Sequence, residues 1–386
     1  MFSRAMIFEG PGQPLVLREL PIRTLVADEI LVRVSAATLC GSDLHTISGR
    51  RKVNCPTILG HEIIGRIERF GQQHSRKDFH GRELRIGDRV TWAIVANCGR
   101  CFFCSNDLPQ KCLHGVKYGH ETIEVHGGLT GGLAEHVILA PRTSIFQLPD
   151  DLADEVACPA NCATATVAAA LGATRALRDS YIGYRLGSGM DQDGLRSVSE
   201  SRPLSGKYIL VVGGGMLGAT ACAMSKWLGA AKVVCVEPFE ERRRLVERFG
   251  ADVAVAPPEM VDTVLSIRDI GFDVAVEVSG VTTAMQEAIG ALRIGGEMVL
   301  VGAVFPVPAL NVLPEQIVRR MLTLQGLHNY TPRDLAMALQ FLASRKEVAF
   351  EKMVSHWLPL EKAGEAVEMA ERLRMPRVGV RTLGKL

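Results

Sequence analysis

The chain has almost no net charge: 44 lysines and arginines stand against 42 acidic residues, a formal +2. That balance excludes a broad electrostatic footprint for nucleic acid or an anionic membrane surface, and it makes small molecules the expected partners. No apolar run approaches the roughly 20 residues a membrane-spanning helix needs. The N-terminal Met1-Phe-Ser-Arg-Ala-Met-Ile-Phe-Glu lacks the basic, apolar and small-residue sections of a secretory leader, so a cytoplasmic protein is expected. Internal repeats and low-complexity tracts are also missing. Cysteine is not scarce, but four of the ten crowd between 98 and 112, the first three with two-residue gaps. Such spacing suits metal thiolates in a reducing compartment better than disulfides. Cys55, Cys158, Cys222 and Cys235 read as free thiols, which usually behave as small buried hydrophobes.

At 386 residues the chain is long for one core, and its 47% hydrophobic content can fill two. Up to about residue 170 it shows short β-like runs broken by glycine and proline, at 30–34, 62–68, 88–92 and 134–139, which predict a small irregular β-barrel. From Lys207 apolar strands at 208–212, 232–237, 251–256, 273–278 and 297–301 alternate with helical stretches, the pattern of a parallel doubly wound sheet. The end of the chain returns to mixed elements, with an amphipathic helix at 332–342 and a strand at 377–381, and is expected to complete the first domain. The domains are therefore drawn as 1–170 with 325–386, and 171–324. Residues 178–203, rich in Ser, Gly, Arg and Asp, read as a long inserted exposed loop.

Gly213-Gly-Gly215-Met216-Leu217-Gly218 follows the predicted strand 208–212 and opens a helix at 216–228. In that context Gly213 permits a tight turn, Gly215 lets the backbone approach a pyrophosphate, and Gly218 lets helix and strand pack closely. Glu237, at the end of the next strand, can accept hydrogen bonds from an adenosine ribose and repels a 2′-phosphate. NAD is thus expected over NADP, although Arg242 and Arg243 stand close enough in sequence to rescue the phosphorylated cofactor.

Cys98, Cys101, Cys104 and Cys112 can wrap four sulfurs around a tetrahedral ion with no open position, as a structural zinc requires. A nucleic-acid-binding zinc ribbon is the alternative, but no basic cluster with aromatics accompanies it. Catalytic zinc takes about three protein ligands and keeps one exchangeable position. Cys40 and His61 are the first two candidates, and the third lies in Cys158-Pro-Ala-Asn-Cys162-Ala-Thr-Ala-Thr166, where either cysteine qualifies. Glu62 is an outer carboxylate or an exchanging ligand. Ser42 and His45 supply a hydroxyl and an imidazole through which an alcohol's proton can leave toward solvent. Asp43 can orient His61 or brace its loop.

Together Cys40-Gly-Ser-Asp-Leu-His45, Gly60-His-Glu62, Gly87-Asp-Arg-Val90, the four-cysteine lobe, Gly131-Gly-Leu-Ala-Glu135 and the glycine fingerprint resemble the zinc-dependent alcohol dehydrogenases of the medium-chain dehydrogenase/reductase superfamily. The resemblance implies an α/β architecture, a GroES-like irregular β-barrel catalytic domain plus a Rossmann doubly wound parallel-sheet domain. It also implies Cys162 as the third catalytic-zinc ligand, Thr166 at the cofactor, two zinc ions per chain, and a homodimer or homotetramer joined through an edge strand at 298–301. A narrower likeness, to phosphonate-catabolism-associated alcohol dehydrogenases, rests on Lys117-Tyr-Gly-His-Glu121, Pro159-Ala-Asn-Cys-Ala-Thr-Ala-Thr166, Val304-Phe-Pro306, Pro314-Glu-Gln-Ile-Val-Arg-Arg320 and Gly326-Leu-His-Asn-Tyr330. It implies a hydroxyalkylphosphonate substrate, for whose anion Arg50, Arg51, Lys52, Lys117 and His120 are candidates; Trp92 is either a cleft wall or core. The expected reaction is hydride transfer between an alcohol and NAD. A polyol or threonine-type dehydrogenase is the alternative substrate class, and a zinc- and NAD-binding sensor or scaffold is the alternative outside enzymes.

Overall fold

A computed structural model describes residues 1–178, 201–345, 347–373 and 376–382. Most of the inserted segment, 179–200, lies outside the described residues. The chain divides into two compact units, one made of residues 1–162, 331–343 and 349–386, the other of 163–330 with 344–348. No helix among the described residues is long and apolar enough to cross a membrane.

The first unit is built on a seven-stranded sheet. Its strands run in the order Ile145–Gln147, Arg89–Trp92, Glu62–Phe70, Ile30–Thr38, Arg377–Arg381 and Val354–Pro359, with His136–Leu139 also paired to Ile30–Thr38. Ile30–Thr38 is buried along nearly its whole length because apolar cores cover both its faces. Leu31 packs into a core with Ile7, Phe8 and Val380, whereas Ile30, Val32 and Val34 point the opposite way, into a core with Ile63, Trp92 and Tyr118. Alternate residues of a strand face opposite sides, so an unbroken apolar run is what a doubly covered strand requires. Register shifts between Leu31 and Val32 and between Val34 and Ala36 bend this strand against Glu62–Phe70. The bend gives the sheet the irregular, barrel-like course expected of the N-terminal part. The C-terminal strand Arg377–Arg381 joins antiparallel to Ile30–Thr38, so the chain's end completes a sheet begun some 350 residues earlier.

The second unit is a six-stranded parallel sheet ordered Val253–Val255, Lys232–Val236, Tyr208–Val212, Phe272–Glu277, Leu292–Leu300 and Thr323–Gly326. With the strands counted along the sequence this is the order 3-2-1-4-5-6, which places a crevice where the winding reverses beside the central strand Tyr208–Val212. The fully buried Phe272, Met298 and Leu210 sit in its core, and each such side chain contributes about 1.5–3 kcal/mol on burial. One expectation fails here. The strand containing 298–300 is internal, hydrogen-bonded on both sides to Phe272–Glu277 and Thr323–Gly326, so it offers no edge for another subunit. Its apolar residues are explained by burial between neighbours.

Candidate functional site

The first unit brings Cys40, His61 and Cys162 together, with one potential ligand atom from each within 4.8 Å of the others. Cys40 ends the extended segment before the short helix Gly41–Ile47, and His61 precedes the strand Glu62–Phe70. Asp43 ties these two pieces together. Its carboxylate accepts hydrogen bonds from the backbone N–H of Cys40 at 2.9 Å and of Gly60 at 3.3 Å, and lies 3.2 Å from His61 Nδ1. It therefore both braces the loop and holds the ring so that Nε2 is the free ligand atom, the arrangement common at metal-bound imidazoles. Gly60, at φ +84°, permits the turn that presents the ring.

Cys162 is placed by Asn161, whose side chain accepts from Ile63 N and donates to the Trp92 carbonyl. Cys158 points elsewhere: its thiol contacts the carbonyls of Ala36 and Glu62, and it takes no part in the ligand cluster. The sulfurs of Cys40 and Cys162 are 3.9 Å apart. With zinc–sulfur bonds of about 2.3 Å, a tetrahedral site separates its sulfurs by about 3.8 Å, so this donor set fits zinc.

Electrostatics support the same reading. The hydrogen bond from Cys162 and the Arg377 guanidinium hold Cys40 well below the ordinary thiol range against its burial. The Cys40 sulfur in turn pushes Cys162 up. For His61 burial opposes charge, yet Asp43 and Cys40 raise it to about 10. A buried place that accumulates negative charge around an imidazole is well matched to a divalent cation.

Glu62 is fully buried and meets Arg377 through two hydrogen bonds, at 2.6 and 2.7 Å, while Thr38 Oγ1 donates to it at 2.6 Å. Arg377 Nη2 lies 3.4 Å from Cys40 Sγ. Glu62 is thus engaged as the outer carboxylate of this pair and stands outside the ligand cluster. Arg377 was not foreseen as a site residue. It sits at the start of the C-terminal strand, and only strand pairing brings it beside a cysteine 337 residues away.

Ser42 Oγ is 3.4 Å from His61 Nε2, directly at the cluster. Burial and the neighbouring Arg50 hold His45 below the ordinary imidazole value, which leaves it a proton acceptor near neutrality. Trp92 is fully buried and packs edge-on against Tyr118, so it belongs to the core. Arg50 and Lys52 are exposed, whereas Arg51, Lys117 and His120 are half-buried and gather beside His61.

The second cluster, Cys98, Cys101, Cys104 and Cys112, also has its four sulfurs within 4.8 Å. Cys101 is 3.5 Å from Cys104 and 3.8 Å from Cys112, again close to the tetrahedral edge. Backbone N–H groups of Cys104 and Leu113 lower Cys101 to about 6, and those of Cys98 and His114 point at Cys112 Sγ. A peptide wrapped with its N–H groups on thiolates fits a structural zinc.

The glycine fingerprint of the second unit spans the turn from Tyr208–Val212 into the helix Met216–Trp227. Gly213 has φ +106°, and a side chain on Gly218 would collide with the Gly213 carbonyl oxygen. No atom lies near the position of a Cβ on Gly215, so the backbone there is open to a ligand. Glu237, buried at the end of Lys232–Val236, accepts from Gly214 N at 2.7 Å and from Phe239 N at 3.1 Å. Gly213, Gly215, Glu237, Phe239 and Arg242 line a cleft of about 420 Å³. The Arg242 guanidinium lies 5.5 Å from the Phe239 ring centroid, and Arg243 donates to the Glu237 and Pro238 carbonyls. Thr166 is half-buried on the helix Ala163–Gly172, and Met216 and Leu217 form the first turn of Met216–Trp227. Glu277 was also not foreseen: it is buried and accepts from Ser279 N, Ser279 Oγ and Gly280 N, fixing the loop across from Gly213.

Comparison with known proteins agrees with both halves of this description. Residues 26–150 match the alcohol dehydrogenase GroES-like domain, and residues 217–344 match the zinc-binding dehydrogenase family. An L-threonine 3-dehydrogenase of Thermococcus kodakarensis is 25% identical over 375 residues, 95% of this chain and 94% of that protein. An L-threonine 3-dehydrogenase of Saccharopolyspora erythraea is 26% identical over 97% of this chain and 98% of its own length. The crystal structure of an alcohol dehydrogenase from Thermotoga maritima superposes with a TM-score of 0.85 at 26% identity, covering 99% of each chain.

Proposed function

This chain belongs to the zinc-dependent medium-chain alcohol dehydrogenases, and from that premise we propose that it oxidises a small alcohol with NAD, using Cys40, His61 and Cys162 as the ligands of a catalytic zinc. The observation that carries the proposal is the convergence of two sulfurs and an imidazole beside Ser42. Cys98, Cys101, Cys104 and Cys112 would hold a second, structural zinc. Residues 1–170 with 325–386 would act as the catalytic domain and 171–324 as the NAD domain, in a cytoplasmic homodimer or homotetramer.

When bound, zinc supplies Lewis acidity at the alcohol oxygen and the dinucleotide supplies the hydride acceptor. Asp43 keeps His61 in the tautomer that offers Nε2. Ser42 takes the hydrogen bond of the substrate hydroxyl, and His45 accepts its proton toward solvent. Glu62 and Arg377 neutralise one another, and the hydrogen bond from Cys162 together with Arg377 favours the charged form of Cys40. Gly213, Gly215 and the helix N-terminus at Met216 seat the pyrophosphate, while Glu237 binds the ribose and disfavours a 2′-phosphate. Thr166 and Arg242 complete the cofactor contacts. The balance is one hydride to the nicotinamide, one proton to the medium and one carbonyl product.

Two substrate classes are in view. The motif likeness supports a hydroxyalkylphosphonate, and the named relatives support L-threonine. The test is NADH formation by zinc-replete protein across hydroxyalkylphosphonates, L-threonine, polyols and simple alcohols, with metal quantitation. Selective turnover identifies the class. No turnover from protein carrying both zinc ions and binding NAD would replace the enzyme by a zinc- and NAD-binding sensor or scaffold.

A further inference from the structure

The turn around residues 117–121 lies directly on the backbone that carries His61. Gly119, at φ +75°, donates its N–H to the Thr130 carbonyl, and a Cβ there would stand 2.7 Å from the Gly60 carbonyl oxygen and 3.0 Å from His61 Cβ. Its neighbour His120 has its ring centroid 5.2 Å from that of His61, the two rings tilted by 41°. Arg51 lies just beyond Gly41–Ile47, with its backbone N–H on the His45 carbonyl and its Nη2 3.3 Å from His120 Nε2. Lys117, on the short strand Val116–Lys117, is close enough to Arg51 and to Cys162 to feel both. Burial, joined by Arg51, lowers its ammonium to about 8.

Three features of this group call for a ligand. A guanidinium only donates, so His120 Nε2 accepts from Arg51 and the ring proton sits on Nδ1. That Nδ1 is buried with no hydrogen-bond partner; the Gly119 carbonyl acts on the ring but outside hydrogen-bond geometry. Secondly, among the described residues neither Arg51 nor Lys117 forms an ion pair. The acid of the turn, Glu121, spends Oε1 on the Lys117 backbone N–H. Thirdly, the charges of the adjoining centre are engaged within it. Two thiolates would balance a divalent zinc, Glu62 is matched by Arg377, and Asp43 is spent on His61 and two backbone N–H groups. Half-buried cations with no paired anion are costly until one joins them.

We infer that Arg51, Lys117 and His120 form an anion subsite beside the His61 metal cluster, so that the alcohol oxidised here carries an oxyanion group, a carboxylate or a phosphonate. The inference rests on the dehydrogenase reading of that cluster. It concerns specificity: the anion anchors the substrate, with Arg51 and Lys117 supplying charge and His120 Nδ1 a neutral donor.

The test uses full-length, zinc-loaded protein. Calorimetry measures binding of ethylphosphonate and of acetate, neither of which can be oxidised as an alcohol. Kinetics with NAD compare 2-hydroxyethylphosphonate and L-threonine with 1-propanol and 2-butanol, for the native chain and for Lys117→Met and Arg51→Lys. Native protein should bind at least one oxyanion, and each substitution should weaken that binding by about tenfold to a hundredfold. KM for the matching anionic alcohol should rise by the same factor, and far more than KM for the neutral alcohols. Zinc content and circular dichroism report folding, and Arg51→Lys keeps the charge if Lys117→Met misfolds. Preference between the two probes assigns the subsite to phosphonate or carboxylate. Absent oxyanion binding, or equal losses for charged and neutral alcohols, overturns the subsite while leaving NAD-dependent oxidation standing. Arg51-dependent oxyanion binding without turnover of any alcohol would instead keep the subsite and overturn the dehydrogenase.

Discussion

Single residues in this chain act through the partners folding gives them. Asp43 shows this: one buried carboxylate serves Cys40 N, Gly60 N and His61 Nδ1. Asp43→Asn keeps the shape and removes the charge that orients and supports His61. It should weaken zinc binding at this cluster by about tenfold to a hundredfold, measured by chelator competition. The two cysteines of 158–162 should separate cleanly. Cys162→Ser is expected to lose one metal equivalent per chain and most turnover, whereas Cys158→Ser should keep full metal content, because its sulfur faces backbone carbonyls. Equal metal content in both variants would remove Cys162 from the ligand set. The Cys40-x-x-Asp43 and Gly60-His61-Glu62 motifs were legible in the sequence because each is local. Arg377 was not, because its role exists only through pairing of the last strand with Ile30–Thr38.

At the scale of elements, the fingerprint turn is the most constrained piece. A methyl on Gly218 meets the Gly213 carbonyl, a backbone atom that cannot turn aside. Gly218→Ala should therefore push Met216–Trp227 off the sheet, costing about 1–3 kcal/mol and weakening NADH binding, read by denaturant melts and NADH fluorescence titration. The same sheet carries a pH-dependent clamp. Asp273 accepts from Arg293 Nε, Tyr208 N and Arg268 Nη1, and although burial opposes its charge, these donors hold its carboxyl below the ordinary value. A carboxylate with a depressed folded value contributes stability above its unfolded value, about 4, and loses it as pH falls through the folded one. Asp273→Asn should cost about 1 kcal/mol at neutral pH and flatten the loss of stability on acidification below pH 4, followed by chemical denaturation across that range. The strands and helices of this unit were readable from alternating apolar runs. Their neighbours were not: the apolar 298–300 read equally well as an edge strand and as an internal one, and only hydrogen bonding on both sides decides it.

The whole molecule combines a metal-braced β unit with a parallel-sheet unit whose chain is inserted between the first unit's segments. Metal that binds the folded state alone adds to folding free energy by mass action. Stripping the protein with a strong chelator should therefore lower its melting temperature by several degrees and expose 98–112 to limited proteolysis, and zinc should restore both. An unchanged melt would mean that the cysteine lobe folds without metal. The sequence by itself determined what is local and periodic: the four-cysteine loop, the glycine turn, the ligand dipeptides and the alternation of strand and helix. Each is set by backbone reach over a few residues. The family resemblance had implied Cys162 and offered Arg51 and His120 as candidates; tertiary structure decided that Cys162 and not Cys158 meets Cys40, that Glu62 and Cys40 meet Arg377, and that Arg51 reaches His120. Those contacts join residues 69 to 337 positions apart. No local pattern records them, because register and packing, which depend on the whole chain, bring them together.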